Sequence, residues 1–216
     1  MSIMPPLTYW SYLRLEALRS EHFLPVVTGV PASSEVADET VDTLLHRYAP
    51  VPVETLAHRV LMASFRGPTV PGWVHGRLRA GLGAVCMFGS NVESPEQVAG
   101  LTAALRSVAP RLLVATDEEG GDVTRLHRRT GSPHPGNAAL GAADDVELTA
   151  DVAAAIGAEL AEVGVDLDLA PVADVNSNPL NPVIGVRSFG ADPRLVARHT
   201  RAYVEGLRSA GVGACV

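Results

Sequence analysis

The chain has 216 residues, of which 47% are hydrophobic and 19% charged, enough apolar side chain for one substantial core. A formal net charge of −7 and a pI near 5.4 exclude a basic footprint for nucleic acid or an electrostatic hold on anionic membrane, so neither partner is expected. No apolar run reaches the roughly 18 residues of a membrane span and no basic-apolar-small leader opens the chain, which makes the cytoplasm the expected compartment.

Residues 1–55 read as an N-terminal helical or irregular appendage. Pro5, Pro6, Pro25, Pro31, Pro50 and Pro52 interrupt two short helical faces, one through Tyr12, Leu15 and Leu18 and the other through Val41, Leu44, Leu45 and Tyr48. Residues 56–216 form the second unit, in which an apolar strand run, a loop and a helix pattern recur. Its expected strands are 60–65, 84–88, 112–116, 165–170 and 212–216. Gly81, Gly164 and Gly211 precede three of these runs in nearly the same phrase, where a glycine just past a helix takes φ > 0 and turns the chain into the strand. Ser94-Pro95 and Asp192-Pro193 each set a capping side chain before a proline at the first helical position. Three apolar stripes predict helices: Val98, Leu101, Leu105 and Val108; Leu148, Val152, Ile156, Leu160 and Val163; and Val196, Tyr203 and Leu207.

Alternating β and α elements fit either a doubly wound sheet or a (β/α)8 barrel. No G-x-G-x-x-G follows a first strand and no G-x-x-x-x-G-K-[ST] occurs, so the nucleotide signatures of the open sheet are missing. The expected fold is α/β, a partial TIM (β/α)8 barrel of about five parallel strands with flanking helices, because a complete barrel takes about 250 residues and eight strands. Its first and last strands would carry free edges.

Chemistry concentrates where the third strand ends. Leu112 to Ala115 is apolar, and after Thr116 come Asp117, Glu118, Glu119, Gly120 and Gly121, with Arg125 shortly after. The carboxyl ends of parallel strands are where loops converge on ligands, and two glycines let backbone approach one closely. Asp117 and Arg125 have two readings: a polar clamp that accepts from and donates to the hydroxyls of a polyol, or an ion pair that closes the loop. Glu118 and Glu119 are expected to support the site or to be solvated. The loop from Asp117 to about Asp145 reads as unhelical, as does that from Pro171 to Asp192, where Arg187 is a second candidate clamp and Asp174 a structural acceptor. None of the seven histidines forms H-E-x-x-H or a paired metal spacing, and His127 and His134 in the first loop are expected to face solvent. Cys86 and Cys215 lie in strand runs and read as small buried thiols.

Asp117-Glu-Glu-Gly-Gly-Asp-Val-Thr-Arg125, Ala170-Pro-Val-Ala-Asp-Val175 and Ile184-Gly-Val-Arg-Ser-Phe189, in that order and spacing, resemble the N-terminal barrel of glycoside hydrolase family 3, above all its β-N-acetylhexosaminidase branch, across residues 59–216. The resemblance implies that Asp117, Arg125 and Arg187 bind a small-molecule carbohydrate, an N-acetylglucosamine-containing glycoside, with Glu119, Gly120, Gly121 and Asp174 supporting the site. It implies no cofactor and no metal. In that branch the fifth strand leads into Lys-His-Phe-Pro-Gly-His-Gly, which supplies a sugar-binding Lys-His pair and an acid/base histidine, and an aspartate nucleophile arises later still. Neither segment matches a residue of this sequence, so no catalytic residue is assigned. The activity implied for full-length kin is retaining hydrolysis of terminal β-N-acetylglucosaminide bonds. This chain would carry the sugar-binding half only and have negligible hydrolase activity of its own. The alternatives are a catalytically inactive sugar-binding or interaction fragment, a family 3 β-glucosidase and a glycosidic phosphorylase.

Overall fold

The computed structural model describes residues 51–216, so the two helical faces expected before residue 50 lie outside the described residues. The elements are α1 (Val53–Arg59), β1 (Met62–Ala63), α2 (Gly72–Arg79), β2 (Ala84–Cys86), α3 (Pro95–Val108), β3 (Leu113–Thr116), α4 (Asn137–Ala143), α5 (Val146–Glu162), β4 (Leu167–Asp168), α6 (Pro193–Ser209) and β5 (Gly213–Ala214). Every strand pairs in parallel with its predecessor, in the order β1-β2-β3-β4-β5. A doubly wound sheet reverses its strand order part-way, so monotonic order identifies the arc of a β/α barrel. Gly81, Gly164 and Gly211 have φ of 98°, 78° and 83° and turn the chain from helix to strand as expected.

The paired strands are shorter than the apolar runs. Val165, Ala170 and Val212 are buried, yet only Leu167–Asp168 and Gly213–Ala214 join the ladder. The runs therefore report burial, which extends past the few residues where neighbouring strands run side by side. Strand alternation sorts the two faces. Val85, Met87, Leu112 and Val114 belong to the main cluster beneath the helices, whereas the alternate residues Ala84, Cys86 and Ala115 are buried outside it. Ala84, Cys86 and Ala115 thus lie on the inner face of the arc, which by register they share with Met62, Leu113 and Leu167.

Helix starts follow the capping chemistry. Ser94 Oγ accepts from the Gln97 amide at 3.2 Å, and Asp192 Oδ1 accepts from the Arg194 amide at 2.8 Å. Asp145 caps α5 in the same way. The stripe assigned to α5 is rotated from the one expected: Leu148 is 43% exposed, and the buried face runs through Thr149, Ala153, Ile156, Gly157 and Leu160. Close approach of α5 to α6 is the reason. A Cβ at Gly206 would lie 2.8 Å from Ala153 Cβ, and one at Gly157 would lie 2.8 Å from Ala210 Cβ, so the helices meet through their smallest residues and turn Leu148 outward. The first long loop, expected to be unhelical, contains α4. Leu140 and Gly141 of α4 are buried, and a side chain at Gly141 would run into the Phe189 backbone, so tertiary contact explains a helix with little apolar periodicity of its own.

Glycine substitutions separate propensity from packing. Gly100 on α3 is exposed with open space around it, and Gly100→Ala is expected to stabilise by about 0.5–1 kcal/mol. Gly206→Ala has the same propensity gain but collides with α5, and overpacking of about 1–3 kcal/mol outweighs it. Urea unfolding of the two variants should therefore give shifts of opposite sign.

Candidate functional site

The acidic run after β3 is distributed among three environments. Asp117 Oδ2 accepts from Arg125 Nη2 at 2.8 Å, with side chains 21% and 28% exposed, while Oδ1 has no hydrogen bond among the described residues. This carboxylate is half-committed and open to solvent. Glu118, 1% exposed, points the other way: its Oε2 accepts from the amides of Arg125 and Leu126 at 2.7 and 3.0 Å, and its carbonyl accepts from the Tyr203 hydroxyl. Glu119, 4% exposed, receives Arg187 through two bonds, Nε to Oε2 at 2.9 Å and Nη2 to Oε1 at 2.6 Å. Neither glutamate is solvated; the Glu118 carboxylate closes the first loop on itself and that of Glu119 fastens it to the second.

Gly120 and Gly121 have φ of 76° and 56°, and a Cβ on either would lie 2.8 Å from the Pro135 carbonyl or Gly136 Cα. Only glycine allows this turn to press against the segment before α4, a contact closed by the Gly121 amide on the His134 carbonyl at 3.0 Å. Arg187 lies in a 3-10 turn, Gly185–Arg187, fixed from behind. Asn137 Nδ2 donates to its carbonyl at 2.7 Å, Ser188 Oγ donates to the Asp174 carbonyl at 2.6 Å, and Phe189 stacks on His199 at 5.2 Å. The Asp174 side chain is exposed, and it is the carbonyl of that residue that ties the loop. The hydrogen bond to Glu119 chiefly holds the Arg187 guanidinium above its ordinary pKa, against the effect of burial, and the charges of Glu119, Asp117 and Asp174 add to it.

The structure thus attaches Arg125 to Asp117 and Arg187 to Glu119, two residues apart on one turn. A cavity of about 260 Å³ opens beside them, lined by Glu119, Gly121, Asn137, Val186 and Arg187 among others; Asp117 and Arg125 lie outside its lining. Cys86, on the inner face below Asp117, is inert: burial first, then the Asp117 charge, push its thiol up to about 12 against a lowering by Arg125. Neither cysteine is in a disulfide.

Three features escaped the sequence. Asp168 on β4 is fully buried, its Oδ1 accepting from the Glu118 amide at 2.8 Å and its Oδ2 without a partner among the described residues. Burial, and next the nearby charges of Glu118, Asp117 and Glu119, raise its pKa well above the ordinary carboxylate range, although the Glu118 amide opposes them. An aspartate inside a strand expected to be covered on both faces was the available signal. His127 and His134, expected in solvent, converge on Glu159 of α5 at 2.7 and 3.1 Å and are half-buried. Burial favours the neutral Glu159 carboxyl, but the two imidazole bonds outweigh it and leave the pKa below the ordinary value. His199 is buried between Thr149 Oγ1 and Asp144. No spacing in the sequence relates these partners, since each pair is made by packing.

Carboxylates and guanidinium groups gather at the mouth of a β/α barrel arc, and among the described residues no group of three metal-ligating side chains occurs. Residues 78–216 match the model of the glycosyl hydrolase family 3 N-terminal domain, and the chain belongs to that family. It is 40% identical over 144 residues to beta-hexosaminidase A of Pseudoalteromonas piscicida, covering 62% of this chain and 24% of that protein. A family 3 β-N-acetylglucosaminidase from a Paenibacillus species superposes with a TM-score of 0.72 at 39% identity, over 76% of this chain and 32% of that one. NagZ from Neisseria gonorrhoeae, solved with N-trifluoroacetyl-D-glucosamine, gives a TM-score of 0.64 at 30% identity over 71% and 48%. The chain spans less than half the length of each. No helix among the described residues is long and apolar enough to cross a membrane.

Asp168 supplies a pH test. Its pKa is raised in the fold, so above the ordinary carboxylate value of 3.8 the unfolded chain releases a proton that the native state retains, and stability falls as pH rises. Asp168→Asn keeps an acceptor for the Glu118 amide and removes the titration. Its stability relative to wild type in urea should rise from about pH 3 to about pH 7; a gap that does not change with pH would contradict the assignment.

Proposed function

We propose that this chain forms the sugar-binding side of a glycosidase acting on terminal β-N-acetylglucosaminides. The observation that carries the reading is Asp117, held at the end of β3 by Arg125 through one oxygen, with the other lacking a partner among the described residues. A carboxylate oxygen accepts strongly from sugar hydroxyls, and the bond from Arg125 fixes the orientation in which Asp117 offers it. Arg187, with Nε and Nη2 committed to Glu119, has Nη1 without a partner among the described residues and presents it beside the same turn. Relatives named beta-hexosaminidase and a structural neighbour solved with an N-acylglucosamine support the substrate class.

The proposed reaction of the complete enzyme is retaining hydrolysis, in which one group attacks the anomeric carbon and another protonates the leaving oxygen. Neither role is given to a residue here. No Lys-His-Phe-Pro-Gly-His-Gly segment occurs in the sequence, and the described carboxylates at the site are committed to holding loops or to Arg125. The role proposed for these 216 residues is therefore sugar binding, through Asp117, Arg125 and Arg187. Calorimetric titration with N-acetylglucosamine should show binding that Asp117→Ala weakens by at least about tenfold, the loss of one charge-assisted hydrogen bond. An aryl β-N-acetylglucosaminide should remain intact; sustained turnover abolished by Asp117→Ala would overturn the division of roles.

A further inference from the structure

Phe88 is a large apolar side chain with no place in the core. It is 42% exposed, whereas Val85, Cys86 and Met87 before it are all buried. Its backbone is nonetheless firmly held. The Phe88 amide donates to Asn91 Oδ1 at 2.9 Å, and Asn91, 1% exposed, donates onward to the carbonyls of Phe65 and Gly67 at 2.9 Å each. Gln97 Nε2 donates to the Asn91 carbonyl, and Arg128 of the first long loop closes on the Gly89 carbonyl. An exposed phenyl ring is thus carried on a rigid frame that four separate segments maintain.

The register says where that ring stands. Cys86 pairs with Ala115, and the Met87 amide continues the ladder to the Ala115 carbonyl at 2.8 Å. Phe88 remains extended, with φ −124° and ψ 173°, so two further steps set it level with Asp117 on the neighbouring strand end. Side chains two apart share a face, which puts Phe88 with Cys86 and Asp117 with Ala115, all on the inner side of the arc. Adjacent strands run about 4.8 Å apart, which is close to the width of a pyranose ring.

We infer that Phe88 is the platform on which the sugar ring rests while Asp117 and Arg125 hold its hydroxyls. The inference rests on the carbohydrate reading above and adds the residue that receives the apolar face. In a pyranose whose substituents are equatorial, the hydroxyls form a polar edge and the axial C–H groups form two apolar faces. A site with carboxylate and guanidinium alone satisfies the edge and leaves a face in water. An aromatic ring beside the carboxylate covers that face, and a fixed backbone does so with little loss of freedom on binding. Phe88 is a positioning residue in this scheme.

The test titrates N-acetylglucosamine into the whole chain and into Phe88→Ala, Phe88→Trp and Asp117→Ala, each first shown to melt at the wild-type temperature. Phe88→Ala should weaken binding about five- to tenfold, while Phe88→Trp should stay within about twofold of wild type. The indole of that variant, read as the difference from the native Trp10 and Trp73 emission, should change its spectrum along the same isotherm. Binding that Asp117→Ala abolishes but Phe88→Ala leaves untouched, or an indole blind to saturating sugar, would overturn the platform and spare the carbohydrate reading. A wild-type chain that binds no sugar would overturn both.

Discussion

Glu119 and Arg187 form the contact on which the arrangement of the site depends. A carboxylate only 4% exposed costs several kcal/mol in lost hydration unless a cation with good geometry replaces the water, and the Arg187 fork does so through two bonds. The two residues belong to different long loops, one leaving β3 and the other leaving β4. Separating the loops would strand the buried charge, so the pair makes them move as one body. Asn137 on the Arg187 carbonyl, and Phe189 seated against Gly141 and His199, hold the same junction from the outer side.

The remaining acids divide the work by how each is compensated. Glu118 leans on two backbone amides, Asp168 is pushed by burial toward its neutral form, and Glu159 takes two imidazoles. Asp117 alone of the three acids after β3 keeps accessible surface together with an uncommitted oxygen. The buried acids give the turn its shape, and the shape leaves Asp117 as the acid of this run that faces solvent. Gly120 and Gly121 are part of the same device, since any side chain there would push the turn off the Pro135–Gly136 segment.

The inner face of the arc continues this logic. Beyond Cys86 and Ala115, the next side chains on that face along β2 and β3 are Phe88 and Asp117. One is apolar and the other charged, at the same level on neighbouring strands. Membership of glycosyl hydrolase family 3 gives the arc its context, and the particular pairing of surfaces at its rim comes from strand register.

The sequence by itself determined the α/β class, the five strand positions, the capped helix starts at Ser94 and Asp192, and the turns at Gly81, Gly164 and Gly211, because burial, capping and positive φ are each imposed within a few residues. It also drew attention to the Asp117–Arg125 stretch, as an abrupt change from apolar to charged at a strand end. Only the tertiary structure decided which acid is open and which buried, that α5 turns its small residues rather than Leu148 toward α6, that Asn137–Ala143 is helical, and that Glu159 receives two histidines from a distant loop. These outcomes depend on what lies on the far side of a contact. A charge is stabilised by whichever donor packing brings within about 3 Å, and local pattern contains no information about that partner.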